Sequence, residues 1–179
     1  MRSTMALLAI ATLTINAALN PAQAANSGEY ALKLAFIYNF TKFVKWPTSA
    51  FGNETSPMVL CIVGDDPFPA DAEQELRSRA SNGHSIDLRK VKPADDMKSC
   101  HIIFIPKTEP KAATALATGP GASPSLTISE LEGFAKQGGV VEMFVEDNKL
   151  RFEVNAAQAK ARQLTVSSQL LALARTVRN

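Results

Sequence analysis

The chain has 179 residues, of which 46% are hydrophobic, and 19 Lys and Arg face 17 Asp and Glu. That dispersed, near-neutral charge argues against nucleic acid or an anionic membrane surface as the partner. Two cysteines and two distant histidines, His84 and His101, lack the spacing of a metal site.

Taken from the start, Arg2 precedes the uncharged and mostly apolar run Met5 to Leu19, and Ala22-Gln23-Ala24 follows as a small-residue cleavage signal. Residues 1–24 therefore read as a secretory signal peptide. The rival reading is an N-terminal membrane anchor. It needs about 20 apolar residues, and this run is short and broken by Thr and Asn. No cysteine follows that would carry a lipid. The expected product is one soluble, exported domain over residues 25–179, large enough for a real core.

Ser27 is a candidate N-cap for a helix reaching about Val44, and Trp46-Pro47 ends it because a residue before proline avoids helical geometry. This helix and its end gather both tyrosines, Phe36, Phe40, Phe43 and the single tryptophan. At 100° per residue the apolar positions form two stripes. Tyr30, Leu34, Ile37, Thr41 and Val44 make one, and Leu32, Phe36, Phe40 and Phe43 the other. One stripe can pack on a sheet. The second needs another element or another protein.

A loop, 48–57, leads to an apolar strand, 58–63, and Gly64-Asp65-Asp66-Pro67 opens a helix near 69–79. The turn Ser81-Asn82-Gly83 precedes a strand, 85–91, and 93–98 is compatible with one helical turn. A strand follows at 100–105, a helix at 109–117, then a break at Gly119-Pro120-Gly121 and a short strand at 125–128. Ser129 and Glu132 have capping-box spacing for a helix over 130–136. Asp147-Asn148 signals a hairpin between strands 140–145 and 149–154. Asn155 and Ser167 are caps for two final helices, the last running through Arg178. Strands alternating with helices imply an α/β domain, mostly parallel, with one antiparallel strand from the C-terminal hairpin and helices on both faces.

In an oxidising compartment Cys61 and Cys100 favour a disulfide, against the alternative of two reduced core thiols. Alternation would place Val59, Cys61 and Val63 on one face with Cys100, Ile102 and Phe104.

Strong catalytic signatures are absent: no nucleophile elbow, no zinc-protease motif, no C-x-x-C and no P-loop. His84 in a polar turn reads as a surface residue, and His101 at the head of an apolar run as partly buried. Asp65 and Asp66 fall at the carboxyl end of the sheet, where ligand sites of α/β folds form, though a solvated pair at a helix start is the simpler reading. Arg175 and Arg178 mostly complement a helix C-terminus and could instead take a small anion. Glycosylation sequons at Asn39 and Asn53 carry little weight in a bacterial export context.

Several segments together resemble the YfiR-like family of exported bacterial proteins. They are Lys33-x-x-Phe36-Ile-Tyr-Asn-Phe-x-Lys-Phe-x-Lys-Trp46-Pro47, Cys61-Ile-Val-Gly64, Cys100-His-Ile-Ile-Phe-Ile105, Gly133-Phe134 before Gly138-Gly139, Arg151-Phe-x-Val-Asn155, and Leu164-x-Val-Ser-Ser-Gln-Leu-Leu-x-Leu-Ala174. The resemblance implies a Rossmann-like periplasmic domain without enzymatic activity or cofactor. It also implies a homodimer that binds the periplasmic domain of an inner-membrane diguanylate cyclase, or a related sensor, and represses it. Cyclic di-GMP signalling and biofilm formation would be controlled in this way, with loss of the contact raising both. Cys61 and Cys100 fit one disulfide of the pattern, and a second cysteine pair found in the best understood repressor is missing. Within that reading, Tyr38, Phe43 and Trp46 are the expected partner-binding residues. Two rivals are a small-ligand sensor using Asp65, Asp66 and Arg175, and an exported hydrolase built on Asp65 or Asp66.

Overall fold

The protein is described by a computed structural model covering residues 21–119 and 123–179. The expected signal peptide, 1–24, lies outside these residues except for its last four positions. In chain order the elements are α1 (Pro21–Phe43), β1 (Val44–Lys45), β2 (Met58–Val63), α2 (Ala72–Arg77), β3 (Ala80–Ser81), β4 (His84–Val91), β5 (Ile102–Ile105), α3 (Pro110–Thr118), β6 (Leu126–Ser129), β7 (Val141–Glu146), β8 (Lys149–Asn155), α4 (Ala156–Ala161), β9 (Thr165–Val166), α5 (Ser168–Leu173) and β10 (Thr176–Arg178). α1 is already helical at Pro21, so Ser27 lies inside the helix and does not cap it. The alanine-rich segment before Ser27 has the propensity to carry the helix through.

The main sheet has the order β10-β8-β7-β6-β5-β2-β4-β3. It is mixed rather than mostly parallel. The ladders from β4 through β2, β5 and β6 to β7 are parallel, whereas β7–β8 and β3–β4 are antiparallel. Two features outrun the sequence reading. Asn82 adopts φ 53° beside Gly83, which turns the chain back so that Ala80 and Ser81 pair with β4. At the other edge the last helix stops at Leu173 instead of Arg178, and β10 pairs parallel with β8. β-Branched Thr176 and Val177 suit that open sheet edge better than a helix.

β2 is central, with every side chain buried, as a strand covered on both faces requires. Met58, Leu60 and Ile62 face a core shared with α1 and α2, including Leu34, Ile37, Phe40 and Leu76. Val59, Cys61 and Val63 face a second core with α3, Ile103, Ile105 and Phe134. Burying each such side chain contributes about 1.5–3 kcal/mol. Cys61 and Cys100 form the disulfide, with Cα atoms 5.8 Å apart, inside the second core. The expected face is corrected by one position, because Ile103 and Ile105, not Ile102 and Phe104, share it with the cysteines. Cys100 precedes β5 in a turn, so strand alternation begins only after His101.

Two expected helices do not form. Residues 93–98 are irregular with short turns, and 132–138 are turns in place of the expected helix over 130–136. In the second, Gly133 sits at φ +79° and the Glu142 carboxylate accepts from the Gly133 and Ala135 amides, which fixes a non-helical path. The Asp147-Asn148 hairpin turn, with φ 51° and 57°, forms as its sequence indicates. So do the caps, where the Asn155 side chain accepts from Gln158 N and that of Ser167 from Leu170 N. A separate two-stranded ladder pairs β1 with β9, and Ser167 N donates to Phe43 O beside it. Among the described residues no helix is long and apolar enough to cross a membrane.

Candidate functional site: an aromatic flank beside two histidines

The chain leaves α1 through β1 and runs as a loop, 46–57, before entering β2. Trp46-Pro47 forbids helical continuation, and a short 3-10 turn at Thr48–Ala50 brings Phe51 back over the start of β2. There Phe51 stacks between the two histidines. Its ring centroid is 3.9 Å from that of His84, with the planes 6° apart, and 4.5 Å from that of His101, at 16°. Trp46 is half-buried, and its indole N–H donates to His101 O at 3.1 Å. A cavity of 310 Å³ opens between Trp46, Phe51, Met58, Asn82, His84 and Lys45.

His101 is the joint of this flank. Its amide donates to Val59 O, and its carbonyl also accepts from Leu126 N. The Val59 amide donates to Nδ1 at 3.0 Å, and Nε2 donates to Ala50 O at 3.0 Å. One neutral tautomer satisfies both bonds. Burial lowers the pKa of this imidazole, partly opposed by the Ala50 bond, and His84 lowers it further. His84 Nδ1 is bonded to Ser56 O at 2.7 Å, so the two histidines hold opposite ends of the 50–56 segment.

Of the expected partner-binding residues, Tyr38 and Trp46 border the β3–β4 hairpin. Tyr38 is half-buried, with its hydroxyl on Ala80 O and the Lys42 ammonium 4.4 Å from its ring centroid. Phe43 is half-buried against the core and does not line the Trp46 cavity. The first stripe of α1 is buried as expected. The second is split, with Phe40 buried and Leu32 47% exposed.

Strand order reverses between β2 and β5, and α/β ligand crevices form outside the carboxyl ends of strands at such a point. Here the chain fills that end itself. Glu109 covers Gly64 so closely that a Cβ there would lie 2.3 Å from Oε1, and Gly64 also holds φ +76°. Lys33, 3% exposed, reaches from α1 to Glu130 after β6, and to Glu29. Tyr30 OH and Lys107 N both donate to Glu130 Oε2. Burial, reinforced by Glu130, raises the Tyr30 phenol well above its usual range.

Asp65 is exposed at this end, while Asp66 accepts from Phe68 N and pairs with Lys90 at 3.3 Å. Arg175 is elsewhere, beside the β10 edge, paired with Glu146 at 3.1 Å. The structure therefore does not bring Asp65, Asp66 and Arg175 together. Arg178 lies in β10 with Glu153 at 2.6 Å, so neither arginine ends a helix. Among the described residues, no group of three or more His, Cys, Asp and Glu side chains is placed to hold a metal ion.

Sequence reasoning missed Phe51, the pairing of the histidines through it, and the Lys33–Glu130 contact. The only signal was His101 opening an apolar run, which fits its 9% exposure. A comparison with curated proteins finds no match. The model of the YfiR/HmsC-like family matches residues 30–175, which include α1 from Tyr30 onward, both histidines, the disulfide and all of α5. This chain belongs to the YfiR/HmsC-like family.

Proposed function

We propose that this protein is a periplasmic regulator without enzymatic activity, delivered by the signal peptide at 1–24. It binds the periplasmic domain of an inner-membrane diguanylate cyclase, or a related sensor, and represses it, so lowering cyclic di-GMP and restraining biofilm formation. Family membership supports the class of function. The parallel order β4-β2-β5-β6-β7 supports reading the domain as Rossmann-like. The observation that carries the surface is the aromatic flank, where Tyr38, Trp46 and Phe51 stay half-buried around the β3–β4 hairpin. Half-buried aromatics with open space beside them are the usual anchors of a protein interface.

The mechanism is stoichiometric. The domain shifts its partner's equilibrium by binding one state better than the other. Moving a cyclase from mostly on to mostly off needs about 5.5 kcal/mol of differential affinity, which a few anchors can supply. Trp46→Ala tests this. Binding to the cognate receptor domain should weaken by about thirtyfold or more, the loss of one anchor worth about 2 kcal/mol, while far-UV circular dichroism stays unchanged. Full binding by a folded variant would refute the assignment. We also propose a homodimer, supported by the exposed Leu32 and Leu173 and the open β10 edge. The small-ligand reading draws less support, because Glu109 covers the turn after β2 and Arg175 stands at the far side of the sheet.

A further inference from the structure

We propose that His101 is an acid-sensitive clasp: its neutral imidazole, accepting from the Val59 amide through Nδ1 and donating to the Ala50 carbonyl through Nε2, holds the 46–57 loop against the head of β2, and protonation releases the loop. An imidazolium carries N–H on both nitrogens. Nδ1–H would then oppose the Val59 N–H, donor against donor, in a site with 9% exposure. The bond cannot be kept, and the buried amide is left without its partner.

The surroundings add to the effect. His84 faces the same Phe51 ring from β4, Lys45 lines the cavity beside Trp46, and Lys98 lines a second cavity against His101 and Ala50. Among the described residues no carboxylate lines either cavity. β2 and β6 meet His101 through the backbone of Val59 and Leu126, neither of which titrates. A new positive charge therefore meets cationic or neutral neighbours, and the nearest carboxylate on this side, Asp96, is exposed and paired with Lys98. Stacking of one imidazolium on Phe51 is favourable, but it opposes only part of the lost bond and the added repulsion. His84 is not the sensor. Its Nδ1 already donates to Ser56 O, and gaining a proton at Nε2 leaves that bond in place.

The direction of the effect follows from linkage. Above the ordinary histidine value of 6.5 both closed and released forms are neutral, and the clasp is at full strength. Because burial depresses the closed-state value, the released form takes the proton first as pH falls. The closed-to-released ratio then drops by about tenfold per pH unit until the closed form also titrates. The device goes beyond the proposed repressor role and stands whether or not the loop meets a partner.

The single tryptophan reports on it, since Trp46 donates to the carbonyl of His101 itself. Emission of Trp46 is followed from about pH 7 to about pH 5 in the disulfide-intact protein, with the His101 ring titrated in parallel by NMR. A red shift whose midpoint tracks His101, absent in His101→Asn and retained in His84→Asn, is the expected result. Asparagine keeps an acceptor for the Val59 amide and does not titrate. If His101→Asn keeps the shift, or if His101 titrates in the natural protein while Trp46 does not respond, the clasp is wrong. Should His101→Asn fail to fold, the wild-type pair of titrations decides: coincident midpoints uphold the clasp, and separate midpoints or a silent Trp46 overturn it.

Discussion

Replacing Glu130 with glutamine should destabilise the domain far more than its place in a turn would imply. The carboxylate takes the ammonium of Lys33, the hydroxyl of Tyr30 at 3.0 Å and the amide of Lys107 at 3.1 Å. Lys33 and Glu130 have side-chain exposures of 3% and 5%. Removing one partner of a buried pair costs about 3–5 kcal/mol, because the remaining charge is stranded away from water. Glu29, 39% exposed, still faces Lys33, so the low end applies, about 3 kcal/mol. For a domain of this size that is a fall in Tm of about 6–12 °C. Thermal and urea melts followed by far-UV circular dichroism measure it.

Lys33→Met combined with Glu130→Gln should recover most of the loss, since no charge is then stranded and the glutamine oxygen still accepts from Tyr30 and Lys107. Glu130→Gln within about 0.5 kcal/mol of the parent, the level of an ordinary surface change, would show that Lys33 reaches water and that this contact does not seat α1. Glu73→Ala, which breaks a half-exposed pair with Arg77, is the control and should change stability by less than about 1 kcal/mol.

Reduction of the Cys61–Cys100 bridge, which spans 39 residues, should cost about 4 kcal/mol by the chain-entropy relation. Urea melts with and without reductant read it directly, and equal midpoints would count against that account. Tyr30→Phe should flatten alkaline denaturation. The folded-state pKa of Tyr30 lies above the ordinary 10.0, so its contribution is whole below that value and is lost as pH rises past it. Tm measured across this range should fall less steeply in the variant, and parallel profiles would refute the assignment.

Local signals in the chain were read well where one residue type fixes one geometry. Asn155 and Ser167 cap helices, Asp147-Asn148 turns the hairpin, and an unbroken apolar run makes β2. Reading failed where a distant partner decides. Residues 130–136 carry a capping box, yet the Glu142 carboxylate, from β7, takes the amides a helix would use. Thr176 and Val177 lie in what looks like a helix tail, yet the vacant edge of β8 recruits them. Lys33 sits amid scattered polar positions on α1, and only the arrival of Glu130, 97 residues later, makes it a core residue. The aromatic content of α1 was legible. The place of Phe51 between two histidines was not, because no periodic pattern links positions 51, 84 and 101.

The small β1–β9 ladder and the Ser167–Phe43 bond tie the exit of the first helix to the segment that opens the last one. Those partners are separated by more than a hundred residues, so the ribosome delivers one long before the other. Until the tail emerges, the helix richest in rings has no complete bed and exposes a sticky surface. Slow, long-range closure of this kind favours aggregation over folding. A chain cut before Thr165 would therefore remain a client of holding chaperones, however intact its central strands.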